Sequence, residues 1–186
     1  YRDRDVFVVG GANSAGQGAM FFSREARTVY VLLRGPDLGR SMSQYLVDRI
    51  NETANIIVLP DTVVVGAEGN GCLESVQIRD TRRGETRTLP AAAMFVFIGS
   101  APRTEIVADL VSRDDRGFIL TGREAMLDGR RPKGWTADRD PFLFETSVPG
   151  VFAVGDARHG SGKRVAAAVG EGSATVSAVH QYLRTV

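Results

Sequence analysis

The chain has 186 residues, 43% of them hydrophobic and 24% charged. That balance suits one globular domain or two small ones whose core needs no disulfide or metal support. The formal net charge is +1, and basic residues are dispersed apart from pairs such as Arg82-Arg83 and Arg130-Arg131. This excludes a strong field drawing nucleic acid or anionic lipid, so neither a nucleic-acid nor a membrane partner is expected.

The single cysteine, Cys72, cannot form an internal disulfide or a Cys-x-x-Cys pair, and it follows the turn signal Gly69-Asn70-Gly71, where a strand is expected to start. Low cysteine usage points to a reducing cytoplasm. Two histidines, His159 and His180, leave little from which to build a zinc site. No apolar run is long enough to span a bilayer, and no charged-then-apolar leader opens the chain. Tyr1-Arg2-Asp3-Arg4-Asp5 is polar, lacks an initiator methionine and runs straight into a strand, which predicts a fragment of a longer protein.

Val6 to Val9 is a β-branched run ending at Gly10-Gly11, the pattern of a buried parallel strand. From Ser14 the spacing becomes helical, with Ala15, Ala19, Phe22 and Ala26 on one face. Val29 to Leu33 is a second strand, closed by the turn Gly35-Pro36-Asp37. Met42, Leu46 and Ile50 share a second helical face, with Ser41 or Ser43 as N-cap. Ile56 to Leu59 is a third strand. The order β-α-β-α-β predicts a doubly wound parallel sheet. Residues 63–67, 73–78 and 86–89 then read as an antiparallel meander, and Met94 to Ile98 as another buried strand. Thr121 to Pro141 reads as a long polar loop, Val151 to Val154 as a strand, and Val165 to Leu183 as a last helix.

Gly10-Gly11-Ala12-Asn13-Ser14-Ala15 lies between the first strand and the first helix and approximates G-x-G-x-x-A. Binding a dinucleotide there requires a tight turn, close backbone approach to the pyrophosphate and close helix–strand packing. The helix N-terminus adds free N–H groups and a partial positive charge. Gly10 serves the turn and Ala15 the packing. Ala12 stands where the fingerprint has glycine, and its Cβ intrudes on the closest phosphate. A plain strand–helix turn is the competing reading. At the end of the second strand an acid would accept from a ribose 2′-OH; here stand Arg34 and, six residues on, Arg40. Two guanidiniums suit a 2′-phosphate and favour NADPH over NADH, unless both are simply solvated loop residues.

These residues carry a resemblance. Val8 to Ala15 resembles the nicotinamide-domain turn of bacterial low-molecular-weight thioredoxin reductases, and Phe95 to Thr104, with Gly99 in it, resembles that family's crossover back to its flavin domain. Thr146 to Asp156 is similar to its C-terminal flavin motif, and Arg164-Val165-Ala166, next to Lys163, to its Arg-Gln-Ala. The resemblance implies an α/β fold: a Rossmann-like NAD(P)H-binding domain over 1–99, then the C-terminal part of an FAD-binding domain over 100–186. It implies FAD and NADPH as cofactors and hydride transfer from NADPH to FAD. The electrons then pass to a disulfide or other acceptor, in a homodimeric parent protein. It places Gly155 and Asp156 at the flavin ribityl chain, and Lys163, Arg164, Val165 and Ala166 near the flavin ring. The competing, less favoured readings are a helix or turn cap for Asp156 and an ordinary loop cation for Arg164. The wording Asn13 to Gln17 and Lys163 to Gly172 resembles a thioredoxin-reductase-like branch fused to signalling domains. There a redox-inactive flavin and NADPH sensor is the alternative function.

Overall fold

The computed structural model describes residues 1–186, which form two compact units, Tyr1–Gly99 and Ser100–Val186. In the first unit, β1 (Asp5–Val9), β2 (Thr28–Leu32), β3 (Ile56–Leu59) and β7 (Ala93–Val96) form a parallel sheet in the order β3-β2-β1-β7. Alternate residues of β1 serve different cores, as the two-residue period of a strand demands. Val6 and Val8 pack with Ala15 and Ala19 of α1 (Asn13–Phe22) and Leu46 and Ile50 of α2 (Gln44–Glu52). Phe7 points the other way, against Val76 and Ile78. Those two belong to a second, antiparallel sheet of β4 (Thr62–Glu68), β5 (Ser75–Asp80) and β6 (Thr86–Pro90). Burial on both faces explains why β1 and β2 read as continuous apolar runs; the buried strand expected over Met94 to Ile98 instead ends at Val96, and Val96 and Ile98 are exposed.

Three details differ from the sequence pattern. Helix α1 stops at Phe22, where the Ser23 hydroxyl donates back to the Met20 carbonyl; Ala26 is still buried, but from the following turn. Met42 is buried ahead of α2 rather than in it, and Ser43 is the N-cap by backbone geometry without a side-chain bond. Cys72 sits exposed in the turn, three residues ahead of β5, instead of starting the strand.

The second unit has no sheet of its own. It comprises short 3-10 turns at Glu105–Val107, Gly122–Ala125 and Gly155–Ala157, isolated β-bridges, and α3 (Val165–Tyr182). The strand expected over Val151 to Val154 is reduced to one bridge, Phe152 with Glu145, flanked by bonds from the Ala153 N–H to the Phe144 carbonyl and from the Thr146 N–H to the Val151 carbonyl. A strand exists only by virtue of its neighbours, and here one short neighbour supplies a single rung. The polar stretch from Thr121 to Pro141 is better tied than a plain loop. The Trp135 indole donates to the Arg139 carbonyl, and the Arg139 guanidinium forks onto both oxygens of Glu145 at 2.6 and 2.9 Å. Glu145 is 0% exposed, yet four donors satisfy it, the other two being the Phe142 and Gly150 N–H groups. Helix α3 leaves Val165, Val169 and Val176 exposed and buries only Ala178. No helix is long and apolar enough to cross a membrane.

Candidate functional site

The candidate residues fall into two groups, one in each unit. In the first, β1 ends and the chain turns sharply at Gly10, whose φ is +143°. Its N–H donates to the Leu32 carbonyl and the next strand is fixed by a 2.7 Å bond from the Phe97 N–H to the Val9 carbonyl. A Cβ on Gly10 would run into the Phe97 carbonyl oxygen, with the Ala15 methyl 3.3 Å away on the other side. Only glycine fits, and Ala15, fully buried, is the packing residue the fingerprint assigns to that position.

Ala12 is extended, with φ −99°, so its methyl carries no backbone strain. The first helical bond of α1 runs from the Gly16 N–H to the Ala12 carbonyl. The N–H groups of Asn13, Ser14 and Ala15 therefore have no acceptor within the helix. Asn13 is engaged sideways: its Oδ1 accepts from the Ser43 N–H at 2.7 Å. The Ser41 hydroxyl donates to the Gly11 carbonyl at 2.9 Å. These two bonds tie the loop after β2 to the glycine turn. Arg34 and Arg40 project from that same loop, both exposed and neither in an ion pair. Arg40 folds back so that its guanidinium lies beside Gly35, the neighbour of Arg34. Free amides, a helix N-terminus and two unpaired guanidiniums together suit a ligand with several phosphates.

In the second unit, Gly155 has φ +67°, and a Cβ there would stand 3.0 Å from the Ala168 methyl of α3. The turn that follows is held on most sides. The Gly155 N–H donates to Glu171 Oε2 at 2.7 Å, the Ile119 N–H to the Ala157 carbonyl, and Lys163 Nζ to the carbonyls of Asp156 and Arg158. Within this braced turn the Asp156 carboxylate is exposed and accepts no bond from the protein. Arg164 is the N-cap of α3, and the first helical bond joins the Ala168 N–H to the Arg164 carbonyl. Val165 and Ala166 thus present exposed, unbonded N–H groups at a helix start. Gly99 closes the first unit with φ +85° and open space around it.

The family described as "Pyridine nucleotide-disulphide oxidoreductase" matches residues 2–172. The chain belongs to this family. Thioredoxin reductase of Mycolicibacterium smegmatis is 32% identical over 174 residues, 94% of this chain and 50% of that protein. Thioredoxin reductase of Eremothecium gossypii is 31% identical over 173 residues, 92% of this chain and 48% of that one. The crystal structure of Lactococcus lactis thioredoxin reductase superposes with a TM-score of 0.73 over 100% of this chain and 55% of that chain, at 24% identity, a likeness of fold. The chain thus spans about half the length of the pyridine nucleotide-disulphide oxidoreductases it matches.

Two residues of this family member went unnoticed in its sequence: Arg158 and Glu171. The Arg158 guanidinium forks onto Glu171, Nη2 to Oε1 at 2.7 Å and Nε to Oε2 at 3.1 Å. That bond from Arg158 draws the Glu171 carboxyl down to about 2, against the opposing effect of burial and with help from the Gly155 N–H. The available signal was that Glu171 is the sole acidic residue in the 18 residues of α3. No group of three or more His, Cys, Asp and Glu side chains could hold a metal ion.

Proposed function

We propose that this chain supplies the nicotinamide-binding unit (residues 1–99) and the C-terminal flavin-contacting segment (residues 100–186) of an NADPH-dependent FAD oxidoreductase. The observation that carries this reading is the glycine turn. Gly10 lets the backbone close, the N–H groups of Asn13, Ser14 and Ala15 have no acceptor within the helix, and the loop bearing Arg34 and Arg40 is bonded to the same turn. In this reading those amides hold the pyrophosphate, and the two guanidiniums hold the 2′-phosphate that distinguishes NADPH from NADH. The Asp156 carboxylate accepts from ribityl hydroxyls of FAD, and the start of α3, from Arg164 to Ala166, faces the polar edge of the flavin ring. Lys163, committed to two carbonyls, supports the turn from behind.

When bound, NADPH supplies a hydride that the flavin accepts and passes on as two electrons. With a disulfide as acceptor the net change is NADPH plus a proton plus disulfide, giving NADP⁺ and two thiols. Relatives named thioredoxin reductase support a disulfide acceptor. Cys72 alone cannot serve as an exchanging pair. A homodimeric, cytoplasmic protein completes the reading. Calorimetric titration with NADPH and NADH tests it. Binding of NADPH in preference to NADH is expected, and absence of any NADPH binding by the full-length protein overturns it.

A further inference from the structure

One carboxylate grips both ends of the turn that carries Asp156. Glu171 Oε2 takes the Gly155 N–H, immediately before Asp156, and both Glu171 oxygens take the Arg158 side chain, two residues after it. The grip is well built. Both partners of the ion pair are 15% exposed, the fork is bidentate, and the Arg158 guanidinium also lies 5.5 Å from the Phe144 ring centre. Gly155 is left-handed and packed against Ala168, so its amide has little freedom to find another acceptor. Asp156 contributes nothing to this bracing, since its own carboxylate meets no protein donor.

We infer that Glu171 is a positioning residue for flavin binding: by clamping Gly155 and Arg158 it fixes the direction in which Asp156 presents its carboxylate to the ribityl chain. This rests on the flavin reading of the turn given above. The clamp is separable from catalysis, because Glu171 is bonded to the protein on both oxygens and offers nothing to a ligand directly. A salt bridge that only pinned α3 to the turn would lower thermal stability and leave Asp156 as effective as before.

The experiment is a cycle of Asp156→Ala, Glu171→Ala and the double variant in the full-length protein. It reads the dissociation constant for FAD by fluorescence titration of the apoprotein, the visible circular dichroism of bound flavin, and the apoprotein Tm. Asp156→Ala and Glu171→Ala are each expected to weaken FAD binding by about tenfold, the scale of one lost charge-assisted bond. The double variant should be no weaker than Asp156→Ala alone, because Glu171 acts through Asp156. Glu171→Gln keeps an acceptor for the Gly155 amide, should fold where the alanine variant does not, and should fall between wild type and Glu171→Ala. Losses that multiply in the double variant, or a lowered Tm with unchanged FAD affinity, overturn the inference. If Asp156→Ala weakens binding and neither Glu171 variant does, the clamp alone fails. If Asp156→Ala has no effect, the flavin reading of the turn fails and takes the clamp with it.

Discussion

Replacing Gly10 with alanine tests the glycine turn most directly. At φ +143° an L-residue is strained by roughly 1–3 kcal/mol. The new methyl would also enter the shell of the Phe97 carbonyl oxygen, and Phe97 is itself anchored to β1 by its N–H, which is bonded to the Val9 carbonyl at 2.7 Å. Overpacking against a fixed neighbour adds roughly 1–3 kcal/mol, for a combined loss of about 2–6 kcal/mol. Gly11→Ala, one residue on, is the control. Its backbone is not left-handed, and its methyl would meet side-chain ends alone, Leu33 Cδ2 at 3.1 Å and Ser41 Oγ at 3.9 Å, so a cost of about 1 kcal/mol is expected. Urea unfolding followed by far-ultraviolet circular dichroism gives both values, and an NADPH titration of each variant gives the effect on the site. Equal urea midpoints for the two variants would refute the steric argument, and full NADPH affinity in a destabilised Gly10→Ala protein would detach the turn from nucleotide binding.

Arg34→Ala is expected to weaken NADPH binding by roughly 1–3 kcal/mol and NADH binding much less; parallel titrations showing equal losses would remove Arg34 from the 2′-phosphate. Ala12→Gly should tighten NADPH binding, since it removes a methyl from the mouth of the turn at no cost in backbone geometry, and calorimetry showing no change would place the phosphates elsewhere. Arg139→Ala strands the fully buried Glu145 and should destabilise the second unit by about 3–5 kcal/mol. Trp135, the only tryptophan, bonds to Arg139 and reports that unfolding by its fluorescence. The second unit should also be acid-labile. Burial pushes the Glu145 carboxyl up, but Arg139 and two backbone donors more than reverse this, and Arg158 holds Glu171 near 2. Carboxyls lowered on folding contribute stability that is complete above their unfolded values and lost as pH falls toward the folded ones. The loss should therefore develop from about pH 4.5 down to about pH 2; a unit equally resistant to urea at pH 3 and pH 7 contradicts it.

Most of the first unit was legible because its determinants are local. Val6 to Val9 and Val29 to Leu33 are apolar without interruption because both faces of a parallel sheet are covered, and Gly10 marks a φ that few residues adopt. What escaped depends on contacts across the chain. Ser41 meets Gly11 and Ser43 meets Asn13 across 30 residues, and Arg158 finds Glu171 across 13; no sequence period records such pairs. Val151 to Val154 has the composition of a strand, but composition does not supply the neighbour a strand requires. Of the flavin-facing candidates, Asp156 was legible as a motif residue, whereas the grip of Glu171 on Gly155 and Arg158 was not.

The two bonds between the Arg34–Arg40 loop and the glycine turn have a consequence for altering cofactor preference. In the proposed reading, the phosphate cradle and the selectivity loop are already fastened together, and an incoming nucleotide spends little entropy organising its site. Discrimination is then governed by side-chain chemistry on a preformed frame. Exchanging Arg34 for an acid should redirect preference toward NADH without rebuilding the loop, provided Ser41 and Asn13 keep their hold.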